Sequence, residues 1–217
     1  VKKRFLDHVN KNKVLGVYKI NDDTLTNTEE KLFISKLKKS LSNHDLIIVS
    51  DYGHGLISKK SSKIICENSK YLALNAQINA ANVGYHSMRK YKNVDCIIIN
   101  EKEIRHELRD KNGNIKSLMK KLAQDQKINS MIVTKGIDGS IFYNRKNNKF
   151  NLSDAFAKKA VDKIGAGDAM LSIVALCLKS DFDEKLALLI GSLAAAHSVE
   201  TIGNKEAINK IKILKSI

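Results

Sequence analysis

Proline and tryptophan are both absent from this sequence, and cysteine occurs only three times in 217 residues. Cys66, Cys96 and Cys177 are odd in number and far apart, so they build neither a disulfide framework nor a Cys-x-x-Cys metal site and read as small core residues of a reducing compartment. No run of about eighteen apolar residues is present to span a bilayer, and no signal peptide is visible; the expected location is cytoplasmic, with no membrane partner. The longest apolar stretches, around residues 171–178 and 186–196, carry polar interruptions and suit buried helices. Aromatic residues are scarce, at 6%, and interleave poorly with the scattered basic ones. The net charge of +15 therefore lacks the stacking and phosphate-tracking pattern of a nucleic-acid binder, and no nucleic-acid partner is expected. Abundant lysine, asparagine and isoleucine without proline reads as codon drift in an AT-rich genome. A positive field still draws in an anionic nucleotide or sugar phosphate.

What the chain does carry is alternation. Strand-like runs centre on Ile47, Leu72, Ile98 and Val133, and helical patterns cover residues 29–41, 58–68, 101–125, 167–179 and 183–199. Strand and helix in turn predict an α/β fold, a doubly wound and mainly parallel sheet with helices on both faces. Residues 1–217 read as a single domain, large enough to bury a proper core. No internal repeat is visible. Residues 110–114 form a polar loop between two helices, too short for a domain linker, and residues 145–149 read as a hairpin tip between Phe142 and Phe150.

The most informative segment runs Asp162-Lys163-Ile164-Gly165-Ala166-Gly167-Asp168 straight into an apolar helical run. Gly165 and Gly167 flanking Ala166 let the backbone bend sharply and approach a ligand closely. A helix starting there aims unpaired N–H groups and its positive dipole end outward, which makes an anion site. Asp168, in the first turn, is placed to accept a proton from a hydroxyl held beside that anion. Anion cradle and base together suit phosphoryl transfer to an alcohol; the plain alternative is a glycine-rich helix start with Asp168 as a cap. Upstream, residues 132–139 read as a strand ending in a glycine turn before the extended run 140–143, and residues 96–103 as a buried strand running into polar residues. The C-terminal end of such strands is where ligands bind in open parallel sheets.

Asn100-x-x-Glu103, then Thr134-x-Gly136-x-x-Gly139, then Asp162-x-x-Gly165-Ala166-Gly167-Asp168, in that order, resemble the ribokinase-like (PfkB) carbohydrate kinases. The resemblance implies ATP and Mg2+ as cofactors, with Asp168 as the base for a hydroxyl of a sugar or sugar-phosphate substrate and Gly165, Ala166 and Gly167 as the anion hole. It implies Asn100 and Glu103 beside Mg2+ and the phosphates, and Thr134, Gly136 and Gly139 on the nucleotide side. Residues 194–203 resemble the helix and turn lining an adenine pocket. His197 sits among them, its plain alternative being a half-buried helix histidine.

A further likeness narrows the group. Val49-Ser50-Asp51-Tyr52-Gly53-His54-Gly55 is similar to a Ser-Asp-Tyr-Gly-Lys-Gly stretch in the sugar-kinase part of heptose-phosphate kinase/nucleotidyltransferase proteins, with His54 in place of lysine. The Asn-rich residues 74–86 are similar to PfkB domains fused to a cytidylyltransferase-like domain. The resemblance therefore extends to a heptose phosphate as acceptor, a fused or associated nucleotidyltransferase domain, and a homodimer as candidate assembly. Asp51 either binds a sugar hydroxyl or a cation, or caps the helix starting near Ser58; both readings stand. A Gly-Gly-x-x-x-Asn sugar-binding segment and most of a β lid do not occur before Asp51, and the strand-like residues 14–18 suit the return strand of such a lid. The chain is expected to be the C-terminal two-thirds of a kinase domain, with a naturally short protein as the alternative. The competing functions are a non-catalytic nucleotide-binding or regulatory module and a nucleoside kinase of the same fold. The intact Gly165-Ala166-Gly167-Asp168 favours catalysis over a binding-only module.

Overall fold

Apolar runs without alternation dominate the centre of the chain, and they fold as strands buried on both faces. In the computed structural model, which describes all residues except 10–12, 79–81, 158–159, 163, 201–206 and 217, six strands form one sheet. These are β3 (Ile47–Asp51), β4 (Leu72–Ala76), β5 (Cys96–Asn100), β6 (Ser130–Thr134), β7 (Ser140–Asn144) and β8 (Lys149–Ser153), adjacent in that order. All of β4 and the first four residues of β5 are buried, as a parallel sheet covered on both sides requires. The pairs β3/β4, β4/β5 and β5/β6 are parallel. The β6/β7 and β7/β8 pairs are antiparallel hairpins.

Helices cover both faces. α1 (Asn27–Ser42), α2 (Lys59–Asn68), α3 (Glu101–Leu108) and α4 (Ile115–Gln126) lie on one side, where Val49, Leu74, Ile97, Ile99, Val133 and Tyr143 meet Ile65, Ile104, Met119 and Leu122. α5 (Ala166–Lys179) and α6 (Glu184–Val199) cover the other, where Ala73, Ile98, Ile132 and Phe142 meet Met170, Leu171, Val174 and Leu188. The second face is thus covered by helices that follow the sheet, not by crossovers between its parallel strands. A short α7 (Lys210–Leu214) packs on α6.

Local chemistry sets the boundaries. Thr26 and Glu29 form a reciprocal capping box at the start of α1, and Ser58 caps α2 through the N–H groups of Lys60 and Ser61. The cap of α2 is therefore Ser58 itself, and the reading of Asp51 as that cap is corrected. The helical stretch 101–125 is interrupted as the polar loop implied: Arg109 turns left-handed at φ 52°, the Asp110 carboxylate accepts from the N–H groups of Asn112 and Gly113, and Asn114 caps α4. At the N-terminus, β1 (Lys2–Leu6) pairs antiparallel with β2 (Lys13–Tyr18) in a separate two-stranded sheet, so the strand expected over 14–18 is present. No helix among the described residues is long and apolar enough to cross a membrane.

Candidate active site

Strand alternation carries a row of polar residues to the C-terminal edge of the sheet on the α5 face. Ile98 and Ile132 pack toward α5, so Asn100 and Thr134, two residues further on, share that face. Asn100 pairs with Thr134, and Thr134 with Ser140.

Above this edge stands the N-terminus of α5. Gly165 occupies the N-cap in a left-handed conformation, φ 91°, and supplies no side-chain cap. Every other α-helix described here is capped by a side chain: Thr26, Ser58, Asn100, Asn114, Asp183 and Asn209. The leading N–H groups of α5 thus receive no hydrogen bond from an N-cap side chain, and the helix dipole adds positive character at the same point. Gly167 is helical, not left-handed, and among the described residues a Cβ built there would meet no atom within 4 Å beyond its chain neighbours and the adjoining helix backbone. The approach to the site is held against α6 by the N–H groups of Val161 and Asp162, which donate to the Val199 carbonyl at 2.7 and 3.0 Å.

Asp168, the third residue of α5, is exposed. Ser50 Oγ donates to its Oδ1 at 3.1 Å, and Tyr52 Oη to its Oδ2 at 3.4 Å. A cleft of about 340 Å³ opens beside it, lined by Gly165, Asp168, Ser172, His197, Asn209 and Lys212 among others. His197 is half-buried with its Nε2 3.2 Å from Ser216 Oγ. The structure therefore brings Gly165, Asp168 and His197 to one cavity. Thr201, Ile202 and Gly203 of the expected adenine turn, and Lys163 of the site motif, lie outside the described residues.

Thr134 ends β6, and Gly136 opens a single 3-10 turn, Gly136–Asp138. Gly139 closes the turn at φ 76°, where a Cβ would collide with the Ser153 carbonyl at the end of β8. Its glycine serves close approach of the chain to itself.

Asn100 and Glu103 form a second capping box. Glu103 N–H donates to Asn100 Oδ1 at 2.9 Å, and Asn100 N–H to Glu103 Oε2 at 2.8 Å; Glu103 Oε1 accepts from the Ile78 N–H at 3.2 Å. Burial pushes the Glu103 carboxyl up, against the backbone bonds from Asn100 and Ile78 and the Asn100 side chain. Both oxygens are thus engaged by backbone, and among the described residues no three His, Cys, Asp or Glu side chains converge on a metal position. That donor set suits an ion which keeps most of its waters and rides on phosphates, and does not suit a protein cage.

Asp51 points to the opposite face from Asp168. It is buried, with Oδ1 accepting from the Gly53 N–H at 2.9 Å and Oδ2 from Tyr91 Oη and Lys90 Nζ, each at 2.7 Å. Burial opposes its ionisation, yet the bonds from Lys90, Tyr91 and Gly53 together with the Lys90 charge hold the carboxyl below the usual carboxylate range. The side chains that reach Asp168 are its neighbours Ser50 and Tyr52. Sequence reasoning missed both, although strand parity around Asp51 was the signal. His54, in place of lysine, pairs with Asp22 at 2.7 Å. In the Asn-rich segment Asn82 is buried and donates from Nδ2 to the carbonyls of Tyr52 and Gln77, both at 2.8 Å; Asn79, Ala80 and Ala81 lie outside the described residues.

Comparison with known proteins agrees with this architecture. The chain is 30% identical over 187 residues to the bifunctional protein HldE of Campylobacter fetus, covering 84% of this chain and 40% of the relative. It is 25% identical over 202 residues to HldE of Campylobacter jejuni, covering 91% and 42%. The chain thus spans about two-fifths of the length of these relatives. Among solved structures, the Y23D mutant of Escherichia coli phosphofructokinase-2 superposes with a TM-score of 0.77 at 12% identity, over 99% of this chain and 68% of that one. Ribokinase from Thermotoga maritima gives 0.67 at 20% identity, over 82% and 58%. These likenesses show a ribokinase-like fold. Residues 8–211 match the profile of the pfkB family carbohydrate kinases, and the chain belongs to that family.

Proposed function

We propose that this chain is the kinase part of a protein that transfers the γ-phosphoryl group of ATP to a hydroxyl of a sugar phosphate, a heptose phosphate being the acceptor most in keeping with its HldE relatives. The observation that carries the reading is the uncapped N-terminus of α5 with Asp168 in its first turn, both opening on one cleft.

In this reading the N–H groups that follow Gly165 bind the transferring phosphoryl group, where charge develops as the bond to ADP breaks. The acceptor hydroxyl lies against Asp168, which takes its proton as the oxygen attacks phosphorus. The nucleotide extends from the anion hole toward Thr134, Gly136 and Gly139 on one side and His197 on the other. Mg2+ would be held by nucleotide phosphates and water, with Asn100 and Glu103 nearest on the protein side, and it would neutralise charge on the phosphates. The bifunctional character of the HldE relatives supports a fused nucleotidyltransferase as the partner domain.

An ADP-release assay with MgATP and, in turn, ribose, a fructose phosphate and a heptose phosphate tests the proposal. Release stimulated by the heptose phosphate above the rate with water alone is expected. Release indifferent to all three acceptors would overturn the kinase reading.

A further inference from the structure

An exposed carboxylate on the first turn of a helix rotates freely about χ1 and χ2, whereas a general base must keep a lone pair within hydrogen-bond reach of one particular hydroxyl. Here both oxygens of Asp168 are met by hydroxyl groups from the distant C-terminal end of β3, Ser50 on Oδ1 and Tyr52, one residue past the strand, on Oδ2. Ser50 lies in β3 and Tyr52 immediately follows its last residue, Asp51, and both hydroxyls are turned to Asp168 of α5. Each carboxylate oxygen accepts about two hydrogen bonds, so the 3.1 Å bond from Ser50 and the longer 3.4 Å one from Tyr52 bias the carboxylate plane and leave room on each oxygen for a substrate hydroxyl.

The support beneath the two hydroxyls is itself fixed. Asn82 ties the Tyr52 carbonyl to the Gln77 carbonyl. The Gly53 N–H is held by Asp51, whose other oxygen is held by Tyr91 and Lys90. Beyond Gly53 the His86 ring fills the space a side chain would need.

We propose that Ser50 and Tyr52 are positioning residues which set the orientation of the Asp168 carboxylate toward the acceptor hydroxyl. The inference rests on the reading of Asp168 as base. Their loss leaves nucleotide and acceptor binding in place and lowers the chemical step, because misplacement of a reacting group by about 1 Å costs up to about 10²-fold in rate.

The experiment compares Ser50→Ala, Ser50→Thr and Tyr52→Phe with Asp168→Asn in the full protein, using MgATP and a heptose phosphate. The expected result is kcat lowered about tenfold or more by Ser50→Ala and by Tyr52→Phe, within that range, with unchanged KM values; Ser50→Thr, which keeps the hydroxyl, restores most of the loss. A second measurement needs no acceptor. Urea unfolding midpoints of Ser50→Ala, Asp168→Ala and the double variant should be non-additive, since the two side chains share a bond. Wild-type kcat in Ser50→Ala and Tyr52→Phe beside an inactive Asp168→Asn, or strictly additive urea midpoints, would overturn the positioning role and leave the base reading intact. Near-normal turnover in Asp168→Asn would instead remove the base reading on which the inference stands.

Discussion

Replacing Gly167 by alanine separates a ligand site from a structural glycine. Gly167 lies in the first turn of α5 without a positive φ, and among the described residues a methyl group there would meet no atom within 4 Å beyond its chain neighbours and the adjoining helix backbone. Folding has no need of glycine at this position. Removing the extra freedom of the unfolded chain should stabilise the protein by about 0.5–1 kcal/mol, which for a chain of this size raises Tm by about 1–4 °C. The same methyl group projects beside the N–H groups assigned to the phosphate, where one lost hydrogen bond to a charged group is worth about 1.5–3 kcal/mol. Nucleotide affinity should then fall about tenfold to a hundredfold. Calorimetric titration of ATP, run beside a thermal melt, reads both quantities. Wild-type affinity with a raised Tm would refute the anion site; a Tm lowered by several degrees would refute the claim that the space is free.

Three further substitutions probe the surroundings. Gly139→Ala combines a positive φ with a collision against the Ser153 carbonyl and should cost about 3 kcal/mol or more, lowering Tm by at least about 6 °C; a neutral melt would contradict this. Asp51→Asn leaves Lys90 without its charge partner and should cost about 3–5 kcal/mol near neutral pH. Because the folded-state pKa of Asp51 is depressed, its contribution is fully present above the unfolded value of about 3.9 and is lost as pH falls through the folded one. The gap in unfolding midpoint between wild type and variant should therefore stay level from about pH 7 to 5 and close below about pH 4, and an equal gap at low pH would defeat the argument. Glu103→Gln keeps one acceptor oxygen where two are used. It should lower stability by about 1 kcal/mol and produce a rate deficit that added Mg2+ partly restores; a deficit indifferent to Mg2+ would leave helix capping as the only role of Glu103.

The parallel strands were legible because strands buried on both faces read as unbroken apolar runs, as in Cys96-Ile97-Ile98-Ile99. β8 was harder: Lys149-Phe150-Asn151-Leu152-Ser153 is a partly exposed edge whose pattern is weak, with Leu152 turned outward. The glycine-rich segment was legible as a helix start, but which glycine bends the chain was not, since φ at Gly165 and Gly167 depends on where α5 begins. Asn100-x-x-Glu103 shows a different limit. The spacing that resembles a kinase motif is also a helix-start signature, and in the fold the two residues do cap α3. Asp51 drew attention through its charge, whereas the groups that reach Asp168 are Ser50 and Tyr52. Strand parity fixes which residues share a face, but which face a helix more than a hundred residues away will cover is a tertiary matter.

Whether Asp168 removes the proton of the acceptor hydroxyl is read by the turnover of Asp168→Asn measured together with its ATP affinity. The amide keeps the shape and much of the hydrogen bonding but accepts no proton, so phosphoryl transfer should fall by about 10²–10⁴-fold with ATP bound as tightly as in the wild type. Turnover within a few-fold of wild type would contradict it.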